Sequence, residues 1–281
     1  MALMPTDSQR RYALVTGGGS GLGRAFCLRL ARAGWYVAVT DIDGAAADET
    51  LGLLTTEGGH GQTEQLDVTD AEAWIALSEK LREDWPRLNL LINNAGVCCA
   101  GEVGVAPLEH AMRVLDINLR GVLCGCHTMV PWLKQTAPGG HILNIASIFG
   151  IIAPPTMAAY CASKAAVVTL SESLYGELVP HKIGVTVAVP GFFPTNLLVN
   201  GQFDEIAYRN IASNYMAQSP LTADEVVRQT MTAVERGKLY VALGRRARWY
   251  WRLKRLFPSG VTQMAAYQYR HQIQKQAKNN I

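Results

Sequence analysis

Tyr160 and Lys164 stand four residues apart in the stretch AAYCASKAA. On a helix, that spacing puts both side chains on one face. A free tyrosine titrates near ~10, too high for easy proton exchange at neutral pH. A nearby ammonium stabilises the phenolate and lowers that value, so the pair could act as a general acid and base. The chain holds ten tyrosines, so such a pair arises easily by chance and needs company. Ser147 follows the apolar stretch 142–146. A serine at the carboxyl end of a strand either caps the next turn or offers its hydroxyl to a substrate oxygen.

A second cluster precedes this one. Residues 16–23 read TGGGSGLG, directly after the apolar run 12–15. Glycine permits positive φ and close approach of the backbone to a ligand. A helix starting there offers unpaired N–H groups and the positive end of its dipole, a site for a pyrophosphate. A glycine-rich turn by itself is equally a surface loop; a strand before it and a helix after it favour dinucleotide binding. Asp41 closes the next apolar stretch. A carboxylate there accepts hydrogen bonds from ribose hydroxyls and repels a 2′-phosphate. No Arg or Lys lies in the glycine loop or directly after the Asp41 strand to offset that repulsion, which favours NAD over NADP. The other reading of Asp41 is a helix cap, a task Asp43 could also take.

These residues need a frame. Strand patterns fall at 12–16, 35–40, 62–66, 88–92, 141–146, 184–189 and 239–243, and helical patterns at 22–33, 44–57, 71–85, 108–133, 162–179 and 223–236. Near-continuously apolar strands alternating with helices predict an α/β fold. The expected architecture is a Rossmann-type doubly wound parallel sheet in three αβα layers, a single domain. Ligands of such folds sit beyond the carboxyl ends of the strands, where the glycine loop, Asp41 and Ser147 all fall. The 281 residues, 49% of them hydrophobic, suffice for one large core, and no linker or repeat interrupts them. A formal net charge of +3 is too small to imply a nucleic-acid partner. Six cysteines without metal or disulfide spacing point to free thiols in a reducing compartment. Residues 1–11 are polar and lack the apolar core of a secretory signal, and no apolar run approaches the ~20 residues of a membrane span. A soluble, cytoplasmic protein is expected.

Taken in order, the set resembles the short-chain dehydrogenase/reductase family in its compact single-domain branch, over about residues 10–245. The resemblance implies cofactor contacts from Gly17, Ser20, Gly21, Leu22 and Gly23 in the loop, and from Asp41 with Ile42. It adds an adenine-contacting Asp67-Val68 pair and the NNAG motif at 93–96, with Asn94, Ala95 and Gly96 along the cofactor. It also adds Pro190, Gly191, Phe193 and Thr195 of PGFFPT, where Phe193 replaces a usually smaller aliphatic residue; backbone atoms make that contact. The implied catalytic residues are Asn118, Ser147, Tyr160 and Lys164. Ser147 orients the substrate oxygen, and Tyr160 is base in oxidation and acid in reduction. Lys164 tunes Tyr160 and holds the nicotinamide ribose, as Tyr160 and Lys164 both face the cofactor. Asn118 anchors a relay water. No metal is implied. The family often pairs the helices at 108–133 and 162–179 across a two-fold axis, so a homodimer or homotetramer is expected.

The implied substrate lid is about 196–219. It carries Leu197, Leu198, Val199, Phe203, Ile206, Tyr208, Ile211, Tyr215 and Met216, one Arg and no Lys. Either these side chains meet a hydrophobic alcohol or ketone, or they pack the lid onto the body. Ile148, Phe149 and the loop 97–104 are expected to shape the same pocket, with Cys98-Cys99 making activity thiol-sensitive. Residues 1–244 then form the dehydrogenase domain and 245–281 a basic amphipathic extension. Its start, RRARWYWRLKRLF, predicts a helix over 245–257 that Pro258 ends. Trp249, Leu253 and Leu256 are expected on one face with Tyr250 and Phe257 at its border, and Arg245, Arg248, Arg252 and Arg255 opposite. The favoured reading is packing of the apolar face; the alternative is a weak peripheral membrane contact. Residues 263–281 read as a polar, partly frayed end. The leading functional expectation is an NAD-dependent oxidoreductase interconverting a secondary alcohol and a ketone. A non-catalytic dinucleotide sensor or a membrane-peripheral interaction protein is the alternative, and a sensor has no need of the Ser147–Tyr160–Lys164 set.

Overall fold

The computed structural model describes residues 10–279, with side chains described as far as residue 271; most of the polar 1–11 start lies outside the described residues. The strands are β1 Arg11–Thr16, β2 Trp35–Asp41, β3 His60–Gln65, β4 Leu90–Asn93, β5 Cys99–Ala100, β6 His141–Ile145, β7 Gly184–Pro190, β8 Gln202–Phe203 and β9 Tyr240–Leu243. Seven of them form one sheet in the order β3-β2-β1-β4-β6-β7-β9. Every neighbouring pair is parallel. The order reverses between β1 and β4, which opens a crevice at their carboxyl ends.

The helices are α1 Gly21–Arg32, α2 Gly44–Thr56, α3 Ala71–Asp84, α4 Leu108–Leu115, α5 Gly121–Gln135, α6 Ala158–Leu178, α7 Ile206–Ala217, α8 Ala223–Glu235, α9 Arg245–Leu256 and α10 Pro258–Asn279. The sheet lies between two apolar layers. Along β1, Tyr12 and Leu14 join Trp74 of α3, Met129 of α5 and Val167 of α6 on one face. Ala13 and Val15 join Phe26 of α1, Leu54 of α2 and Val226 of α8 on the other. A strand buried on both faces has no polar side to alternate with, hence its unbroken apolar run.

The elements depart from sequence expectation at four places. The expected helix 108–133 is interrupted by a π turn, Asp116–Arg120, between α4 and α5. Helix α6 starts at Ala158, which puts Tyr160 in its first turn. Residues 263–279 are helical within α10, so Pro258 ends α9 and also starts the next helix. Proline suits that first position, because the first-turn N–H it lacks would be unpaired anyway.

The fourth departure is the rotation of α9. Its buried residue is Ala247, 2% exposed, with Tyr250 and Trp251 partly buried against the same core. Trp249, Leu256 and Phe257 are 55%, 72% and 61% exposed, so of the expected packing face only the Tyr250 border packs on the core, with Leu253 half-buried. The cause is local. A Cβ on Gly191 would lie 3.4 Å from the Ala247 Cβ, and only a small residue fits against β7 at that distance. Seating Ala247 there turns Trp249 and Leu256 outward. No helix among the described residues is long and apolar enough to cross a membrane.

Candidate active site

The glycine loop crosses from β1 to α1 over the crevice. Gly17 adopts φ +63, and a Cβ there would sit 2.9 Å from the Ala95 Cα. Gly23 plays a different part: a Cβ on it would overlap the Gly17 carbonyl oxygen. Gly23 therefore closes the loop onto its helix and lies behind the cavity wall, away from the cofactor contact that its motif implied. Ser20 takes the N-cap position of α1, but its side chain caps no N–H, and the first turn carries no acid. The helix start thus keeps donors and a positive dipole end directed at the cavity. These features fit the diphosphate of a dinucleotide.

Asp41 lies at the end of β2. Its Oδ2 accepts from the Gly19 N–H at 2.9 Å and its Oδ1 from the Asp43 N–H at 3.1 Å. The cap of α2 is Asp43, which accepts from the Ala46 N–H at 3.2 Å. The two acids have separate tasks, and Asp41 is left on the cavity wall beside Ile42. Ile42 is 63% exposed. Asp67 and Val68 line the same end. Asp67 is fixed by the Thr69 N–H at 2.9 Å and the Thr69 hydroxyl at 2.8 Å.

The NNAG segment ties the loop to the sheet. Asn94 donates from Nδ2 to the Thr16 carbonyl at 2.9 Å and to the Gly17 carbonyl at 3.1 Å. The Asn94 and Ala95 N–H groups both donate to the Thr16 hydroxyl, at 3.0 and 3.1 Å. Beneath, a buried polar row crosses the sheet: Asn93 donates to Asn144 at 2.8 Å, and Asn144 to Ser171 at 3.0 Å. Such groups cost free energy unless paired, and here each has a partner.

Ser147 follows β6. Its hydroxyl accepts from the Phe149 N–H at 3.2 Å, which caps a short turn. The same hydroxyl acts on the Tyr160 phenol, whose pKa it lowers. The cap and the catalytic readings of Ser147 are therefore compatible. Burial pushes the Tyr160 phenol above its ordinary value, nearby Cys98 adds to the rise, and Ser147 pulls it back. Lys164 is buried and donates to the Ile145 carbonyl at 3.0 Å; burial lowers its ammonium to about 8. Asn118 sits in the π turn and does not line the cavity. Its Oδ1 accepts from the Val97 N–H at 2.8 Å, and its Nδ2 donates to the Val97 carbonyl at 2.9 Å and the Ser163 hydroxyl at 3.1 Å. Its side chain is thus committed to protein partners. A Cβ on Gly96 would lie 3.1 Å from Asn118 Oδ1 and 3.4 Å from Lys164 Nζ, so Asn118 sits directly behind two residues of the cavity wall.

One cavity of about 690 Å³ joins all these parts. Of the residues expected at the site, Gly17, Ser20, Gly21, Leu22, Ala95, Gly96, Pro190, Gly191, Phe193 and Thr195 line it, with Ser147, Tyr160 and Lys164 at the other end. The lid closes that end. It comprises a short turn, Asn196–Leu198, then β8 and α7. Strand β8 pairs with β5, through Gln202 N–H to the Cys98 carbonyl at 3.0 Å and Asp204 N–H to the Ala100 carbonyl at 3.1 Å. The loop 97–104 and the lid therefore form one unit. Cys98 lines the cavity and Cys99 does not. Burial pushes both thiols up, Cys98 to about 12, which disfavours the reactive thiolate.

Sequence reasoning missed two parts of the wall. Phe192 stacks on Tyr215 of α7 at 5.1 Å and meets Phe149 edge-on at 5.4 Å, and Phe149 meets Tyr160 edge-on at 6.2 Å. An aromatic row thus runs from the Tyr160 ring to the lid. Glu109, Met112 and Arg113 of α4 line the far side. Arg113 donates to the lid carbonyl of Asn200 at 3.4 Å. The adjacent aromatics in PGFFPT were a signal for Phe192; nothing in the helical pattern marked α4.

Comparison with known proteins agrees with this geometry. A family model described as short chain dehydrogenase matches residues 11–205. The chain belongs to the short-chain dehydrogenase/reductase family. It shares that family's Rossmann-like fold, a seven-stranded parallel sheet. It is 37% identical over 189 residues to the probable oxidoreductase EphD of Mycobacterium tuberculosis, covering 67% of this chain and 32% of EphD. The chain thus spans about a third of the length of that relative. It is 32% identical to the cyclopentanol dehydrogenase of Comamonas testosteroni, over 66% of this chain and 74% of that one. A short-chain dehydrogenase/reductase from Burkholderia phymatum, solved in complex with NAD, superposes with a TM-score of 0.79 at 28% identity, covering 84% of this chain and 90% of that one. One from Sphingobium yanoikuyae, solved with NADPH, gives 0.72 at 28% identity, covering 85% and 90%.

Proposed function

We propose that this short-chain dehydrogenase is an NAD-preferring enzyme that interconverts a hydrophobic secondary alcohol and its ketone. The observation that carries the reading is the single cavity, with the glycine loop and Asp41 at one end and Ser147, Tyr160 and Lys164 under an apolar lid at the other. The start of α1 would hold the diphosphate, Asp41 the adenosine ribose, and Tyr160 and Lys164 the nicotinamide ribose. When bound, the nicotinamide supplies the site that accepts or returns a hydride.

The chain's own residues handle the oxygen and its proton. Ser147 holds the substrate oxygen beside Tyr160. In oxidation the Tyr160 oxygen takes the hydroxyl proton, and in reduction its phenol gives one back. Lys164, an ammonium below about pH 8 in this setting, stabilises the phenolate. The π turn at Asn118 opens the helical hydrogen-bond ladder, where a relay water can enter. With the Asn118 side chain already committed, its backbone is the part left for that water.

Preference for NAD rests on charge. Arg113 and Lys164 are the cations on the cavity wall, and both belong to the substrate end. A 2′-phosphate would meet Asp41 and Asp67 without a counter-charge. The relative named cyclopentanol dehydrogenase supports an apolar secondary alcohol as substrate. The test follows nicotinamide absorbance with NAD and NADP over a panel of hydrophobic secondary alcohols. Turnover with NAD at higher kcat/KM than with NADP is expected. Preference for NADP contradicts the role given to Asp41, and no turnover with either cofactor contradicts the reading as a whole.

A further inference from the structure

The outward face of α9 has no assigned task. Arg245, Trp249, Arg252 and Leu256 follow one another at helical spacings of four, three and four residues, so they form a single line along the helix. All four are exposed, with Arg248 and Arg255 exposed on one flank and Phe257 at the end. The sequence wheel had put the arginines opposite the apolar residues. The structure puts cations and exposed apolar residues on the same side.

Charge says what could cover this face. The 37 residues 245–281 carry nine Lys and Arg and no Asp or Glu, while the whole chain has a formal net charge of +3. The remainder is therefore net negative. Among the described residues, Arg245, Arg246, Arg248 and Arg252 pair with no carboxylate. Arg255 is held by stacking, 5.0 Å from the Trp251 ring and 5.7 Å from that of Tyr240. A partner that accepts a tryptophan, a leucine and a phenylalanine between arginines must be apolar just below an anionic surface. An anionic lipid bilayer has that layering: headgroup phosphates meet guanidinium groups, and Trp and Leu enter the acyl boundary.

We propose that α9 docks the protein on an anionic membrane surface through the line Arg245–Trp249–Arg252–Leu256, with Phe257 at its end. The helix is well anchored for this task. Its other side is seated on Gly191 through Ala247 and packs against the 148–150 turn that follows Ser147. Docking thus holds one wall of the cavity beside the lipid, where apolar alcohols and ketones concentrate. The inference stands on surface chemistry and does not depend on the redox assignment.

The test uses the purified full chain and sedimentation with vesicles of phosphatidylcholine, alone or mixed with phosphatidylglycerol. Binding to the mixed vesicles, weak or absent on phosphatidylcholine and released by salt, is expected. Arg245→Gln and Arg252→Gln should each weaken partitioning by about fivefold. The double variant Trp249→Ser with Leu256→Ser should weaken it at least tenfold, and its thermal unfolding should match wild type because both side chains are exposed. Failure to sediment with anionic vesicles at low salt overturns the proposal, as does equal binding by wild type and variants. A change of mass by light scattering in the double variant would assign the face to a second copy of the chain and also overturn it. So would binding of duplex DNA without binding of vesicles.

Discussion

The two ends of the cavity are built by opposite means. At the cofactor end the backbone does most of the work. Asp41 is clamped by two N–H groups, Asn94 and the Thr16 hydroxyl lock the loop to β4, and Gly23 leaves no room for a single carbon. At the lid end the ties are fewer. Helix α7 has no buried residue, and Val199 and Ile206 are 68% and 77% exposed. Two paired residues of β8 and the stacking of Tyr215 on Phe192 hold the lid to the body. The contrast explains how one family scaffold can fix a cofactor and leave substrate choice open. Hydrogen bonds that over-determine a loop tolerate little change, while a thin apolar lid can be re-lined at small cost.

Substitutions at the two ends should therefore differ in size and kind. Gly23→Val should have the largest effect, about 3 kcal/mol or more of lost stability, because the new side chain meets the Gly17 backbone. Denaturant unfolding measures it; a mild loss would mean that the loop is looser than described.

Lys164→Met should act in the opposite sense on stability while abolishing turnover. Below about pH 8 the wild-type fold holds a buried ammonium, and the variant without cofactor should be more stable by about 1–2 kcal/mol. The unfolded chain keeps its lysine charged up to ~10.5. Between about pH 8 and that value the unfolded state binds more protons, so wild type gains stability as pH rises and the difference closes. Unfolding at several pH values checks this, and a difference independent of pH would contradict it.

Phe192→Ala tests the lid end. Loss of the central ring of the aromatic row should raise KM for the alcohol by about tenfold and leave KM for NAD within about twofold. Equal changes in both would erase the distinction between the two ends. Ile206→Ser, at an exposed lid position, should change stability by less than about 0.5 kcal/mol in a thermal melt.

The same contrast governs what could be read from sequence. The sheet, the glycine loop, Asp41, Ser147 and Tyr160 were legible because backbone conformation demands particular residues at fixed spacings. The π turn was not, since Asn118 reaches sideways to Val97 and Ser163, across sequence gaps that no periodicity reports. Phe192 was overshadowed by Phe193, whose side chain goes into the second apolar layer. The rotation of α9 was misread because Ala247 against Gly191, rather than the larger Trp249, decides which side packs.

The central claim is that cofactor binding and proton transfer reside in separable groups joined by one cavity. The most direct measurement is turnover of Tyr160→Phe at NAD concentrations shown by titration to saturate it. NAD binding within about tenfold of wild type, with turnover reduced by about 10²–10⁴, is the predicted result. Turnover close to wild type would contradict the claim.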